Sequence, residues 1–139
     1  DVCSSDLIGG CLEVLVSLVG TPYDNVKNFI KKYKDDNIIW FLEVAEFNLF
    51  GYKKALWQLK EAGWFNNTKA ILFGRSAGTK TFIDMNLYDV TKDILKDLNI
   101  PVIMDMDIGH VSPVHAIFTG AKIEVENTPR NSFVKFNLT

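Results

Sequence analysis

Histidine is scarce in this chain: there are two among 139 residues, His110 and His115. It is the side chain best suited to moving protons near neutral pH, so candidates for acid–base chemistry are few. Cysteine is equally rare, at Cys3 and Cys11 near the N-terminus, which excludes a disulfide framework. No apolar run is long enough to span a membrane and no basic stretch suggests nucleic acid, so neither is expected as a partner. Fifteen basic residues stand against seventeen acidic ones, and the net charge of −2 points to no class of partner. There is no internal repeat, low-complexity tract or linker. With 47% hydrophobic and 23% charged residues, the chain suits one globular domain with a sizeable core.

Residues 1–7, Asp-Val-Cys-Ser-Ser-Asp-Leu, have no periodicity, no initiating methionine and no signal-peptide pattern. They coincide with the translation of a common sequencing-adapter end. They are read as an adapter-derived artefact and set aside from fold reasoning, with the domain taken as residues 8–139. Without Asp1 and Asp6 the acids and bases balance.

Residues 11–19 allow a short helix or a strand, stopped by Gly20-Thr-Pro22. Residues 23–37 carry Val26, Phe29, Ile30 and Tyr33 at helical spacing, predicting a surface amphipathic helix. Ile38-Ile-Trp-Phe-Leu42 reads as a strand of a sheet covered on both faces, ending in Glu43 with Glu46 close behind. Open α/β sheets place functional groups at such strand ends. Residues 52–62 predict a helix with Leu56, Leu59 and Trp57 inward, stopped by Gly63. Lys69-Ala-Ile-Leu-Phe-Gly74 is a second buried strand, and residues 88–98 a helix burying Val90, Ile94, Leu95 and Leu98. The run from Pro101 through Gly109-His110 is a third buried strand. Residues 114–118, 121–126 and 132–136 are expected to be short antiparallel strands. The fold class is therefore α/β: a largely parallel sheet with flanking helices and short antiparallel strands at the C-terminal end.

Three constellations could carry chemistry, and His110 figures in each. Gly74-Arg-Ser76-Ala-Gly78 fits the G-x-S-x-G nucleophile elbow, with Asp105 or Asp107 and then His110 completing a Ser…Asp…His order for a self-contained esterase. An elbow needs a helix immediately after its serine, whereas residues 79–84 read as a loop, and the acid lies too near His110 in sequence to approach it from a separate loop. The alternative is a glycine-rich turn with positive φ. Asp105, Asp107, His110 and His115 form a second cluster, but without the spacing of a known metal site it reads as a solvated loop. Glu43 with His110 is the third: both stand at predicted strand ends, and a carboxylate on Nδ1–H fixes the tautomer of a general base. From spacing alone, His110 is equally a structural histidine in a turn, and the chain a non-catalytic binding domain in which the two residues lie far apart.

Several segments together resemble a known family. They are Gly9-Gly-Cys-Leu12 with Gly20-Thr-Pro22, Phe41-Leu-Glu43, residues 53–63, Ile71-Leu-Phe-Gly-Arg75, Ile100-Pro-Val102, Ile108-Gly-His110 and Gly120-Ala121. In this order they resemble the C-terminal domain of the serine-type L,D-carboxypeptidases, the family that includes microcin-immunity peptidases. The resemblance implies a domain that closes over an N-terminal α/β domain, with a Ser–Glu–His triad between them. Glu43 would be the acid and His110 the base. Glu46, the rival acid, falls outside the Leu-Glu match. None of Ser4, Ser5, Ser17, Ser76, Ser112 or Ser132 lies in a matching segment, so the nucleophile and oxyanion hole belong to the missing domain, and this chain alone is expected to be inactive. The implied parent is a cytoplasmic homodimer, needing no cofactor or metal, that acts on muropeptides or peptidyl-adenylate antibiotics. Cys11 stands where many members have Asn, and Ile117-Phe118-Thr119 where many have a Pro-rich stretch.

Overall fold

The computed structural model describes residues 2–77, 79 and 84–138, with side chains from residue 5 onward. The order of elements is β1 (Val2–Cys11), α1 (Leu12–Leu18), α2 (Val26–Lys32), β2 (Ile38–Glu43), α3 (Leu49–Glu61), β3 (Thr68–Gly74), α4 (Leu87–Leu95), a 3-10 turn (Lys96–Leu98), β4 (Val102–Met106), β5 (Lys122–Asn127) and β6 (Ser132–Asn137). The strands form one six-stranded sheet in the order β4-β3-β2-β1-β5-β6. Strands β1 to β4 run parallel to one another, whereas β5 pairs antiparallel with both β1 and β6. This is the expected α/β class.

The two faces of the sheet are finished differently. Every residue of β2 is buried, and because side chains alternate, Ile38, Trp40 and Leu42 face one way while Ile39, Phe41 and Glu43 face the other. The first face is closed by helices. Leu49, Tyr52, Ala55, Leu56 and Leu59 of α3 and Val90, Ile94 and Leu95 of α4 pack with Trp40, Ile71 and Phe73 into the larger core. Each fully buried side chain of this size contributes about 1.5–3 kcal/mol. Asn48 and Asn86 start these helices, accepting from Gly51 and Asp89 N–H at 2.9 Å. Among the described residues no helix covers the second face. There Leu7, Ile39, Phe41, Leu72, Ile123 and Val125 pack under Ile108, with Ile117 alongside, and a groove of about 740 Å³ remains open.

Several expectations are corrected. The segment set aside at residues 2–7 is the first half of β1, between β2 and β5, with Leu7 1% exposed. The helix expected over 23–37 contracts to Val26–Lys32 and buries no residue fully. Trp57 points outward at 55% exposure, because α3 turns the stripe through Tyr52, Ala55, Leu56 and Leu59 to the sheet. The strand after Pro101 is a half-buried edge that stops at Met106, four residues before His110. Its pairing with β3 shifts between Leu72 and Gly74, where Asp105 takes φ 60°: one extra residue bulges out of the edge. Residues 114–118 form no strand; Ile117 packs against the core of the open face instead. The glycine-rich turn also differs, since Gly74 does not have positive φ; Gly78 and residues 80–83 of the expected loop lie outside the described residues.

Candidate active site

Glu43 ends β2 in the row of Ile39 and Phe41, and so is carried onto the open face at the C-terminal edge of the sheet. Its side chain is 8% exposed, whereas that of His110 is 63% exposed. His110 Nδ1 lies 2.8 Å from Glu43 Oε2. An ionised carboxylate only accepts, so Nδ1 carries the proton and Nε2 is left as the basic nitrogen on the exposed ring. The hydrogen bond to Glu43, then its charge, raise the His110 pKa above the ordinary histidine value, with smaller contributions from Glu13 and Glu46.

Two glycines make room for this contact. Gly109 has φ +96°, and a Cβ there would lie 2.7 Å from Glu43 Oε2 and 2.9 Å from Glu43 Cβ. A Cβ on Gly74 would lie 2.3 Å from the Ile108 carbonyl oxygen, so Gly74 lets the His110 segment lie against the end of β3. Ile108, 4% exposed, anchors that segment in the core of the open face.

Two further charged residues frame the pair, and sequence reasoning assigned neither a role. Glu13, in the first turn of α1, accepts from the N–H groups of Ala45, Glu46 and Phe47 at 3.1, 2.8 and 2.9 Å, fixing the chain just after Glu43. Burial pushes its carboxyl upward, but the Cys11 thiol and the backbone donors outweigh that and hold it below the ordinary carboxylate value. Burial, then the hydrogen bond to Glu13, push the Cys11 thiol up to about 11, so it stays protonated at neutral pH. Arg75, just past β3, holds the segment on either side of His110: it pairs with Asp107 and donates to the carbonyls of Val111, at 2.9 Å, and Pro113. The only visible signals were an acid in a first helical turn and an arginine after Gly74, because the backbone groups that both hold are more than thirty residues away.

The other candidates do not assemble. Ser76 Oγ donates to Thr79 Oγ1 at 2.7 Å and accepts from Thr79 N–H at 3.1 Å, a local turn. Asp105 accepts from Tyr88 Oη at 2.7 Å, while Asp107 pairs with Arg75 and lies 3.5 Å from His115 Nε2. Glu46 is exposed, and its side chain does not bond to His110. The binding-domain alternative, which requires Glu43 and His110 to lie apart, is at odds with their 2.8 Å contact. Among the described residues no group of three or more histidine, cysteine, aspartate or glutamate side chains is placed to hold a metal ion, and no helix is long and apolar enough to cross a membrane. No serine, threonine or cysteine side chain among them hydrogen-bonds to His110.

A hydrogen-bonded carboxylate–imidazole pair thus stands at the C-terminal edge of the sheet. The model of the LD-carboxypeptidase C-terminal domain matches residues 4–125. The chain belongs to this family. A probable murein peptide carboxypeptidase of Bacillus subtilis (strain 168) is 25% identical over 133 residues, covering 94% of this chain and 39% of that protein. The crystal structure of muramoyltetrapeptide carboxypeptidase from Oxalobacter formigenes superposes with a TM-score of 0.81 at 20% identity, over 98% of this chain and 45% of that one. The microcin C7 self immunity protein MccF, solved in complex with aspartyl sulfamoyl adenosine, gives 0.75 at 21% identity, over 90% of this chain and 36% of its own. The chain thus spans less than half the length of each of these relatives. The solved structures share the fold of this LD-carboxypeptidase C-terminal domain.

Proposed function

We propose that this chain supplies the acid and base of a serine-type L,D-carboxypeptidase whose nucleophile lies in the remainder of the parent protein. The observation that carries the reading is the 2.8 Å contact between buried Glu43 and exposed His110. Nε2 of His110 takes the proton of the incoming serine, which attacks the peptide carbonyl at an L,D linkage, while Glu43 holds the tautomer and stabilises the imidazolium. The proton passes to the leaving amine. The same nitrogen then activates the water that hydrolyses the acyl-enzyme, regenerating the serine. By itself the chain is inactive, because the nucleophile and the oxyanion donors come from elsewhere.

The substrate class is a cytoplasmic muropeptide losing a terminal D-alanine, in line with the names of the murein and muramoyltetrapeptide relatives. A peptidyl-adenylate is the second reading, favoured by the sulfamoyl adenosine complex of the immunity protein. Fusing the chain to the N-terminal domain of a family member and offering both substrates tests the proposal. D-alanine release or adenylate cleavage is expected, abolished by Glu43→Ala and by His110→Ala; turnover that survives His110→Ala sinks it.

A further inference from the structure

His110 sits in the irregular segment after β4, and its exposed ring is held by little packing. Geometry at the base must therefore come from the backbone on either side. Ile108 and Gly109 fix the approach to His110. The departure is fixed, and the segment closed into a loop, largely by one side chain. The Arg75 guanidinium pairs through Nη1 with Asp107, three residues before His110, and donates through Nη2 to the carbonyls of Val111 and Pro113, one and three residues after it. The Arg75 backbone N–H also donates to the Met106 carbonyl at 3.2 Å, tying the start of the segment to the end of β3. His115 N–H donates to the Asp107 carbonyl at 2.8 Å, so both ends of the loop meet at the residue Arg75 holds.

We infer that Arg75 is the positioning residue of this site: its guanidinium, bonded to Asp107, Val111 and Pro113, closes the loop that holds the His110 ring on Glu43. A planar fork of five donors can hold a carboxylate and two carbonyls together, whereas a lysine ammonium can keep the charge pair but cannot reproduce the fork. Arg75 also lies just past Gly74, the position that lets Ile108 approach, so the end of β3 both admits the loop and holds it. The catalytic meaning of the clamp rests on the triad reading above; its geometry does not.

The test uses this chain alone, with ring-labelled histidine followed by NMR titration and the amide spectrum as the control for folding. The acids that raise the His110 pKa are Glu43 and, more weakly, Glu13 and Glu46, and none is altered by substituting Arg75. In Arg75→Ala the His110 midpoint is expected to fall toward that of an ordinary histidine, because the ring leaves Glu43. A purely electrostatic role has the opposite sign, since removing a nearby cation favours the imidazolium. Arg75→Lys, which keeps a cation for Asp107, is also expected to lower the midpoint. Combining Arg75→Ala with Glu43→Gln is expected to give no fall beyond that of Glu43→Gln alone, the signature of action through the pair. A midpoint that stays in place or rises in folded Arg75→Ala overturns the inference, as does a further fall in the double variant. Where Arg75→Ala loses the native amide spectrum, Arg75→Lys decides by the same criterion. These readings need no substrate, so a failed turnover assay and a failed clamp remain distinguishable.

Discussion

One sheet presents two unlike faces. On the first, Trp40, Ile71 and Phe73 are sealed by α3 and α4. On the second, the rows that should continue the core end instead in Glu43 and Gly74, under a loop with no regular structure and beside an open groove. The difference separates two tasks within single strands. In β2, the residues facing the helices contribute burial energy, and the alternate residues lead, two positions at a time, from Ile39 through Phe41 to a buried carboxylate. On the proposed reading, stability and chemistry lie on opposite sides of one backbone, so each should be breakable without the other.

The largest effect is expected on the open face. In the fused enzyme, His110→Ala should lower kcat by about 10⁶-fold, which abolishes detectable turnover. The thermal midpoint should be little changed at a pH where the ring is neutral, since the ring is mostly exposed. Calorimetry beside the turnover assay checks both halves. Next comes the sealed face: Trp40→Ala should cost about 3–5 kcal/mol in urea denaturation, because the side chain is 2% exposed and touches both Trp64 and Phe65. A third change lies between the two tasks. Gly109→Ala pushes a methyl group toward Glu43, and an ångström of misplacement is worth about 10²-fold in rate, so kcat should fall by that order. Circular dichroism should show the fold retained.

The smallest effect is one of pH. The folded-state pKa of His110 is raised by Glu43, so its contribution to stability is fully present below the ordinary histidine pKa and is lost as pH rises through the folded value. The difference in urea midpoint between the parent chain and His110→Gln should therefore be greatest in mild acid and shrink as pH rises through the raised folded-state value. A difference that grows with pH would reverse the assignment.

The asymmetry was partly legible in the sequence. The runs of β2 and β3 announce themselves because strands buried on both faces are continuously apolar, and the helical stripes of α3 and α4 follow from their spacing. Glu43 and His110 could be named because both follow such runs and both lie in segments that resemble the family. The resemblance carried them further than spacing did. The first half of β1 stayed hidden behind Ser4, Ser5 and Asp6, polar residues in a strand that its neighbours define. The bulge at Asp105 was invisible because the local pattern of β4 reads as one uninterrupted run. Glu13 and Arg75 could not be read at all in these roles, since most of what they hold is backbone, and backbone donors and acceptors leave no trace in residue type.

The central claim, that a buried carboxylate and an exposed imidazole work as one base for a serine supplied from elsewhere, is tested most directly by the pH profile of kcat/KM in the fused enzyme. The acid limb reports the protonation of the base in the free enzyme. It should have the same midpoint as the His110 ring measured by NMR, and both should move to lower pH together in Glu43→Gln, with a lowered plateau. An acid limb that is indifferent to Glu43→Gln while the His110 midpoint moves would contradict it.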